Sequence, residues 1–168
     1  MSKCKIAMMI PGLSGGGAEK VAADLSVYFE QKGYEVFIFV DSRQEAIEYQ
    51  HGGKIVCVRR AAGNISENNK VEILHNLLKD ADVYRKLKRR YRIDITLSFM
   101  QEHNLLNILS RCDDKVIVTI HSVMSQRKEL GYFLGYGKKI FKYLYQLADR
   151  IVFVSHFCRE DWINHYGD

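Results

Sequence analysis

The stretch KIAMMIPGLSGGG, residues 5–17, places a glycine-rich loop directly after a short apolar run. Such a run predicts a β-strand that is buried on both faces, as in a parallel sheet. Beyond the loop, apolar residues recur at helical spacing, namely Ala18, Val21, Ala22, Leu25 and Phe29. Gly33 stands where that helix would end, and Tyr34–Val40 predicts a second buried strand. The first forty residues therefore predict one β–loop–α–β unit.

The rest of the chain repeats this alternation of strands and helices. Further strands are predicted at Lys54–Val58, Ile93–Phe99, Val116–Ile120 and Ile151–Val154. The helices between them include one whose predicted buried stripe is Val71, Leu74, Leu78, Ala81 and Tyr84. Others are predicted around Leu105–Leu109, across Lys128–Ala148 and after Ser155, which can cap the last helix. We expect an α/β fold: one Rossmann-like, three-layer α/β/α domain with a mainly parallel sheet in the order 3-2-1-4-5-6.

The bulk composition fits a globular protein and excludes several classes. A chain of 168 residues with 47% hydrophobic residues can form a core, so it is not disordered. No run approaches the ~20 apolar residues of a membrane span. The four cysteines are scattered, with no C-x-x-C spacing for metal or redox chemistry, and we expect buried thiols in a cytoplasmic protein. The net charge of +5 either attracts phosphate groups or serves solubility.

The glycine loop is the first candidate for binding chemistry. In an open parallel sheet, ligands bind at the carboxyl ends of the strands, where the Gly12–Gly17 loop is expected. Glycines let backbone amides approach a ligand, and the following helix directs its positive N-terminus at a phosphate. The loop is not an ATPase P-loop, because Ala18 and Glu19 replace the required Lys and Ser/Thr. It is not the dinucleotide fingerprint either, because Lys20 stands in place of the third glycine.

The same loop also fits a nucleophile elbow. Gly12-Leu13-Ser14-Gly15-Gly16 satisfies G-x-S-x-G, with Ser14 as the nucleophile and His103, His121 or His156 as a base. Two features oppose a serine hydrolase: the elbow normally follows a strand in the middle of the sheet, and no acid is evidently placed to orient a histidine. The hydrolase is kept as a minor alternative.

Several segments together resemble the N-terminal domain of family 4 glycosyltransferases, which have the two-domain GT-B fold. The most specific are PGLSGGGAEK (11–20), AADL (22–25) and KGYEV (32–36) at the start of the chain. ADRIVFVS (148–155) is similar to the family's sixth strand and helix cap, and VTIHS (118–122) to its fifth strand with a histidine in the cleft. LSF (97–99) with Asn104 resembles its fourth-strand segment. The resemblance covers almost the whole chain.

The resemblance implies roles for residues on the donor side of a retaining glycosyltransferase. The family's glycine loop lies against the donor diphosphate and sugar, which implies donor binding by Gly15, Gly16 and Gly17. Ser155 would line the same cleft, although a helix N-cap explains it equally well. The expected catalytic residue is His121, which would reach the donor sugar. Its alternative is a buried histidine whose hydrogen bonds the backbone satisfies.

On the acceptor side, the resemblance implies binding by polar residues that follow strand 4. They are Ser98, Gln101, Glu102, His103 and Asn104. The run 101–104 could equally be a solvated loop. The acceptor would be a glycan or a lipid-linked glycan.

The resemblance also defines what this chain would lack. Residues 1–168 correspond to the N-terminal, acceptor-side domain, and the family's C-terminal, donor-binding domain has no counterpart here. The expected activity is hexosyl transfer from a nucleotide-sugar, without metal or other cofactor, in surface polysaccharide biosynthesis, and the isolated domain is expected to be inactive. The alternative is a non-catalytic Rossmann-like binding module.

The basic, aromatic segment 128–148 supports two hypotheses. A helix with this composition can lie at the inner face of a membrane as a peripheral contact. It can also be a core helix that packs on the sheet with its lysines reaching solvent, which we favour because the sheet needs cover on both faces. Nucleic-acid binding is not expected, because no matching motif is present.

Overall fold

The computed structural model describes residues 3–41, 47–60, 70–123 and 138–167, and within them a single parallel sheet organises the chain. The predicted fold class and the predicted strand order are confirmed, since the order is β3-β2-β1-β4-β5-β6 and every pairing is parallel. The strands are β1 (Lys5–Ile10), β2 (Glu35–Asp41), β3 (Lys54–Val58), β4 (Ile95–Ser98), β5 (Lys115–Ile120) and β6 (Arg150–Phe153).

Helices cover both faces of this sheet. They are α1 (Gly17–Gln31), α2 (Lys70–Tyr91), α3 (Gln101–Leu109), α4 (Lys138–Tyr145) and α5 (His156–Tyr166). In β1, Met8 faces the cluster that contains α1, whereas Met9 faces the cluster that contains α2 and α3. Successive strand residues point to opposite faces, so this alternation produces the three layers. On the side of α3, Tyr145 from α4 and Trp162 from α5 join a third cluster under β5.

Helix α1 ends at a turn that contains Gly33, where the sequence predicted its end. Gly33 has φ of 89°, in the left-handed region where a side chain would be strained. The amide of Tyr34 donates to the carbonyl of Phe29 at 3.1 Å, which closes the last turn of the helix. This ending lets the chain enter β2 beside β1.

The predicted buried stripe of α2 is wrong in its first half. Val71, Leu74 and Leu78 are exposed by 78%, 45% and 51%. The buried row instead includes Ile73, Leu77, Asp80, Ala81, Tyr84 and Lys88. Two residues of this row, Asp80 and Lys88, are charged. A search for apolar residues at helical spacing does not detect them. In α1 the predicted stripe is wrong at one position, since Val21 is 41% exposed at the rim of a cleft.

A buried ion pair joins α2 to the segment that precedes β5. The Lys88 ammonium lies 2.9 Å from the carboxylate of Asp114, and both side chains are fully buried. Lys88 also donates to the side-chain oxygen of Asn107 at 2.7 Å, and Thr96 donates to Asp114 at 2.6 Å. Burial lowers the pKa of Lys88, and Asp114 offsets only part of that effect. Removing one partner would leave the other charge buried without compensation, so the pair holds α2 against the segment before β5.

In the part of the chain that the structure describes, no helix is long and apolar enough to cross a membrane. The predicted membrane segment 128–148 lies partly outside the described residues. Within it, Tyr145 is fully buried, with its ring 5.0 Å from that of Trp162, as the core-helix hypothesis expects. Tyr143 and Leu147 are 66% and 56% exposed. Peripheral membrane contact stays a prediction.

Candidate functional site

A cleft of about 540 Å³ opens at the carboxyl ends of β1, β4 and β5. This is where an open parallel sheet binds ligands, beside the strand at which the order reverses. Its walls come from the first turn of α1, the start of α3, the end of β5 and one residue after β6. The lining residues are Gly16, Gly17, Ala18, Glu19, Val21, Met100, Gln101, Asn104, Thr119, Ile120, His121, Ser122 and Val154.

The glycine loop forms the wall at the N-terminus of α1. Gly15 has φ of 76°, and Gly16 is the N-cap residue, with no side chain to cap the helix. A β-carbon built on Gly16 would overlap the carboxylate of Glu19. One built on Gly17 meets nothing within 4 Å, so it would stand in open space. The amides of the first helical turn have no partners within the helix, which suits the approach of an anion.

His121 lies opposite this wall and is half-buried. Its Nε2 is 2.9 Å from the hydroxyl of Thr119, and its ring centroid is 5.5 Å from that of Phe99. Burial lowers the pKa of His121, and the charge of Glu19 opposes this only in part. The imidazole is therefore neutral at physiological pH. It can exchange hydrogen bonds with a ligand but does not offer a fixed positive charge.

The sequence did not indicate Glu19 and Thr119 as site residues. Glu19 lies off the apolar stripe of α1, and it lines the cleft in the first helical turn. Thr119 precedes His121 by two residues, and this spacing at the end of β5 places the two side chains on one face. That strand alternation is the signal that could have found Thr119.

Ser98 and Asn104, both predicted to bind the acceptor, are held in the interior. Ser98 is fully buried at the end of β4 and does not line the cleft. Its hydroxyl donates to the side-chain oxygen of Asn104 at 2.8 Å. Asn104 is 1% exposed, forms part of the cleft floor, and donates to the Thr119 carbonyl at 2.8 Å and to the Tyr145 hydroxyl at 3.3 Å. This network supports the floor from below.

The other three residues predicted to bind the acceptor lie at the start of α3 and have different surroundings. Gln101 lines the cleft, whereas Glu102 bonds to Arg60 beside it. His103 is 1% exposed, away from the cleft lining, with its ring centroid 6.2 Å from that of Tyr84. Both ring nitrogens of His103 are buried, and neither has a hydrogen-bond partner among the residues that the structure describes. Because burial and the nearby Arg60 disfavour the charged form, the pKa of His103 falls to about 3.

Backbone strain accompanies this turn into α3. Met100, the N-cap residue, has φ of 72° and ψ of 150°, a conformation that side chains rarely adopt. Such a residue costs about 1–3 kcal/mol and persists only when its surroundings enforce it. The turn brings both Met100 and Gln101 to the cleft.

A buried ion cluster ties the elements beside the cleft together. The Arg60 guanidinium, just beyond β3, is 2.9 Å from Asp41 at the end of β2 and 2.9 Å from Asp80 on α2. It also bonds to Glu102 on α3. Burial lowers the pKa of Arg60, but the three carboxylates outweigh burial and raise the pKa above its ordinary value. The carboxylate of Asp41 is thus engaged in an ion pair.

The structure gives Ser155 and Ser14 no ligand-binding geometry. Ser155 caps α5, as the sequence also predicted, and accepts a hydrogen bond from the amide of Cys158 at 3.2 Å. Its neighbour Val154, and not Ser155 itself, lines the cleft. Ser14 lies outside the lining, and no hydrogen bond between it and a histidine is found among the described residues, so the elbow hypothesis gains no support.

Among the described residues, no group of three or more His, Cys, Asp or Glu side chains could hold a metal ion. The prediction that no metal is needed is not tested by this observation.

The sequence model of glycosyltransferase family 4 matches residues 15–168. The chain belongs to glycosyltransferase family 4. The family resemblance predicted from the sequence is thereby confirmed, while the donor, the acceptor and the pathway stay predictions. No curated protein matches this family 4 chain.

Two solved structures show the same fold as this family 4 chain. A glycosyltransferase from Rickettsia africae ESF-5 superposes with a TM-score of 0.66 at 15% identity, and the match covers 99% of this chain and 40% of that one. A sucrose-phosphate synthase from Thermosynechococcus elongatus gives a TM-score of 0.64 at 16% identity, with coverage of 99% and 46%. The chain thus spans less than half the length of either neighbour.

Proposed function

We propose that this chain is the N-terminal, acceptor-side half of a retaining glycosyltransferase. The enzyme would transfer a hexosyl group from a nucleotide-sugar to a glycan or lipid-linked acceptor, in surface polysaccharide biosynthesis. One observation supports this most strongly: the open N-terminus of α1 and the imidazole of His121 line the same cleft. Membership of family 4 supports transferase chemistry in general.

The chemistry follows from the groups that line the cleft. The donor diphosphate would lie against Gly17, where the space that a β-carbon would fill is open and free amides of α1 stabilise negative charge as the diphosphate departs. His121 would contact the sugar, and Gln101 would face the acceptor from the opposite wall. We propose no metal for this step. Ser98, His103 and Ser155 have no direct ligand contact in this proposal, because the first two are buried and the third caps a helix.

We also propose that the cleft is completed by a second half. The chain corresponds to 40% and 46% of the lengths of its two structural neighbours, which leaves room in such proteins for a further domain. A donor-binding domain would close over the cleft and exclude water from the reacting sugar. The enzyme would act in the cytoplasm, with peripheral contact at the inner face of the membrane when its acceptor is lipid-linked.

The test is a transfer assay on the complete product of the gene that encodes this chain. A panel of nucleotide-sugars is offered with glycan and lipid-linked acceptors, and release of nucleoside diphosphate is measured. We expect one donor class to react, with product and donor of the same anomeric configuration. His121→Ala should lower kcat/KM at least about tenfold, whereas His75→Ala, at an exposed position on α2, should not.

Other outcomes of this assay point to the alternatives. Binding of a donor with no release of nucleoside diphosphate would contradict the transferase and favour a non-catalytic binding module. Labelling of Ser14 by a fluorophosphonate probe would instead support the hydrolase. Inversion of the anomeric configuration would overturn the retaining mechanism alone.

A further inference from the structure

The hydroxyl of Thr119 makes two short polar contacts at the cleft floor. Its Oγ1 lies 2.7 Å from the carbonyl oxygen of Ser98 and 2.9 Å from Nε2 of His121. Thr119 is only 6% exposed, so water does not readily replace either contact. The first contact joins β5 to β4, and the second reaches the residue that follows β5.

A hydroxyl has one hydrogen, and that decides the direction of both bonds. A carbonyl oxygen can only accept, so the contact with Ser98 requires the hydrogen of Thr119. The oxygen of Thr119 must then accept from His121, whose Nε2 therefore carries a hydrogen. The reverse arrangement would bring two oxygens within 2.7 Å with no hydrogen between them, in a buried place where an unmade bond is costly.

The other ring nitrogen is left for a ligand. The imidazole of His121 is neutral, since burial lowers its pKa and Glu19 opposes this only in part. A neutral ring with its hydrogen on Nε2 has a lone pair on Nδ1. No hydrogen bond from the described residues reaches that atom. Phe99, with its ring centroid 5.5 Å away, limits rotation of the imidazole.

We propose that Thr119 is a positioning residue that fixes His121 in the Nε2–H tautomer, so that His121 presents a hydrogen-bond acceptor to the cleft. The group it recognises is then a hydrogen-bond donor, which we take to be a hydroxyl, and not a phosphate or carboxylate oxygen, which cannot donate. Identifying that hydroxyl with one on the donor sugar rests on the proposed function. The tautomer itself does not.

The tautomer can be measured on this chain directly. Histidine labelled with ¹⁵N is followed by long-range ¹H–¹⁵N correlation at neutral pH, and the signal of His121 is identified by its loss in His121→Asn. We expect the wild-type chain and Thr119→Ser, which keeps the hydroxyl, to show the Nε2–H form almost exclusively. Thr119→Val keeps the shape without the hydroxyl and should give a mixture of both tautomers.

Two results would overturn the proposal. One is a predominantly Nδ1–H ring in the wild-type chain, which requires no variant to fold. The other is a folded Thr119→Val chain with an unchanged tautomer ratio.

The role of the tautomer in recognition is tested on the complete gene product. With the donor found in the transfer assay, Thr119→Val should lower kcat/KM about tenfold and Thr119→Ser about threefold or less. A donor analogue in which the contacted hydroxyl is replaced by hydrogen should react equally with wild type and Thr119→Val. If every such deoxy analogue still distinguishes the two enzymes, recognition of a hydroxyl is wrong. If the Nε2–H tautomer is found but no nucleotide-sugar reacts, the proposed function fails while the role of Thr119 stands.

Discussion

The hydroxyl of Ser98 donates a 2.8 Å hydrogen bond to the side-chain oxygen of Asn104, and both groups are buried. The side-chain nitrogen of Asn104 in turn donates a hydrogen bond to the Thr119 carbonyl at 2.8 Å. One amide group thus joins β4, α3 and β5 beneath the cleft. Ser98 and Asn104, which the sequence predicted to bind the acceptor, are hydrogen-bonded to each other. Their polarity therefore has a structural explanation.

Removal of the Asn104 amide should destabilise the fold. Asn104→Ala leaves the Ser98 hydroxyl and the Thr119 carbonyl without this partner, which should lower the free energy of unfolding by about 2–3 kcal/mol. Asn164→Ala, at an exposed position on α5, should change it by less than about 0.5 kcal/mol. Urea unfolding monitored by circular dichroism measures both. Equal effects of the two substitutions would show that the network contributes nothing.

Loss of the Arg60 guanidinium should be more severe. Arg60→Met keeps much of the volume but leaves the buried carboxylates of Asp41 and Asp80 without their cation. Breaking a buried pair in this way costs about 3–5 kcal/mol. The matched control is Lys86→Met, which removes an exposed pair with Asp82 and should have little effect. Thermal and urea unfolding of both variants test this, and similar stabilities would contradict a structural role for the cluster.

Two glycines of the loop should respond differently to a methyl group. Gly15→Ala must hold a side chain at φ of 76°, which should lower the free energy of unfolding by about 1 kcal/mol. Gly17→Ala has no such strain and begins a helix, so it should be neutral or slightly stabilising. Its methyl group, however, would stand in the cleft and should raise KM for the donor about tenfold or more. Unchanged donor kinetics in Gly17→Ala would show that no ligand approaches this backbone.

Acid should destabilise the chain through His103. The pKa of His103 is about 3 in the folded chain and near 6.5 when unfolded, so between these values the unfolded chain binds the extra proton. As the pH falls from 6.5 toward 3, the free energy of unfolding should decrease by up to about 1.4 kcal/mol per pH unit from this group. His103→Phe removes the titrating group in a site where its nitrogens have no partner. Urea unfolding at pH 7 and pH 4.5 should show a smaller loss in the variant, and parallel losses would refute this origin.

The sheet was predictable because its strands are apolar runs separated by clear helical patterns. β1 and β3 begin and end where the sequence predicted, and the order of all six strands is confirmed. The glycine loop could also be placed at the cleft, since its position after β1 follows from topology.

What the sequence missed concerns polar side chains in the interior. Asp80 and Lys88 occupy the buried row of α2 because each has an ion partner distant in sequence, Arg60 and Asp114. No local pattern reveals such partners. For the same reason, Ser98 and His103 had the polarity of site residues although they lie in the interior. Burial of a polar group is decided by tertiary pairing, which spacing along the chain does not encode.

Binding of the phosphate and sugar of a donor in the cleft between α1 and β5 is tested most directly by NMR. The ¹⁵N-labelled complete gene product is titrated with nucleotide-sugars, and the amide shifts of residues 1–168 are followed. We predict that the largest changes occur at Gly16, Gly17 and His121, with none at Gly33 at the opposite end of α1. Changes confined to residues outside the cleft, or no change with any nucleotide-sugar at millimolar concentration, would contradict donor binding in this cleft.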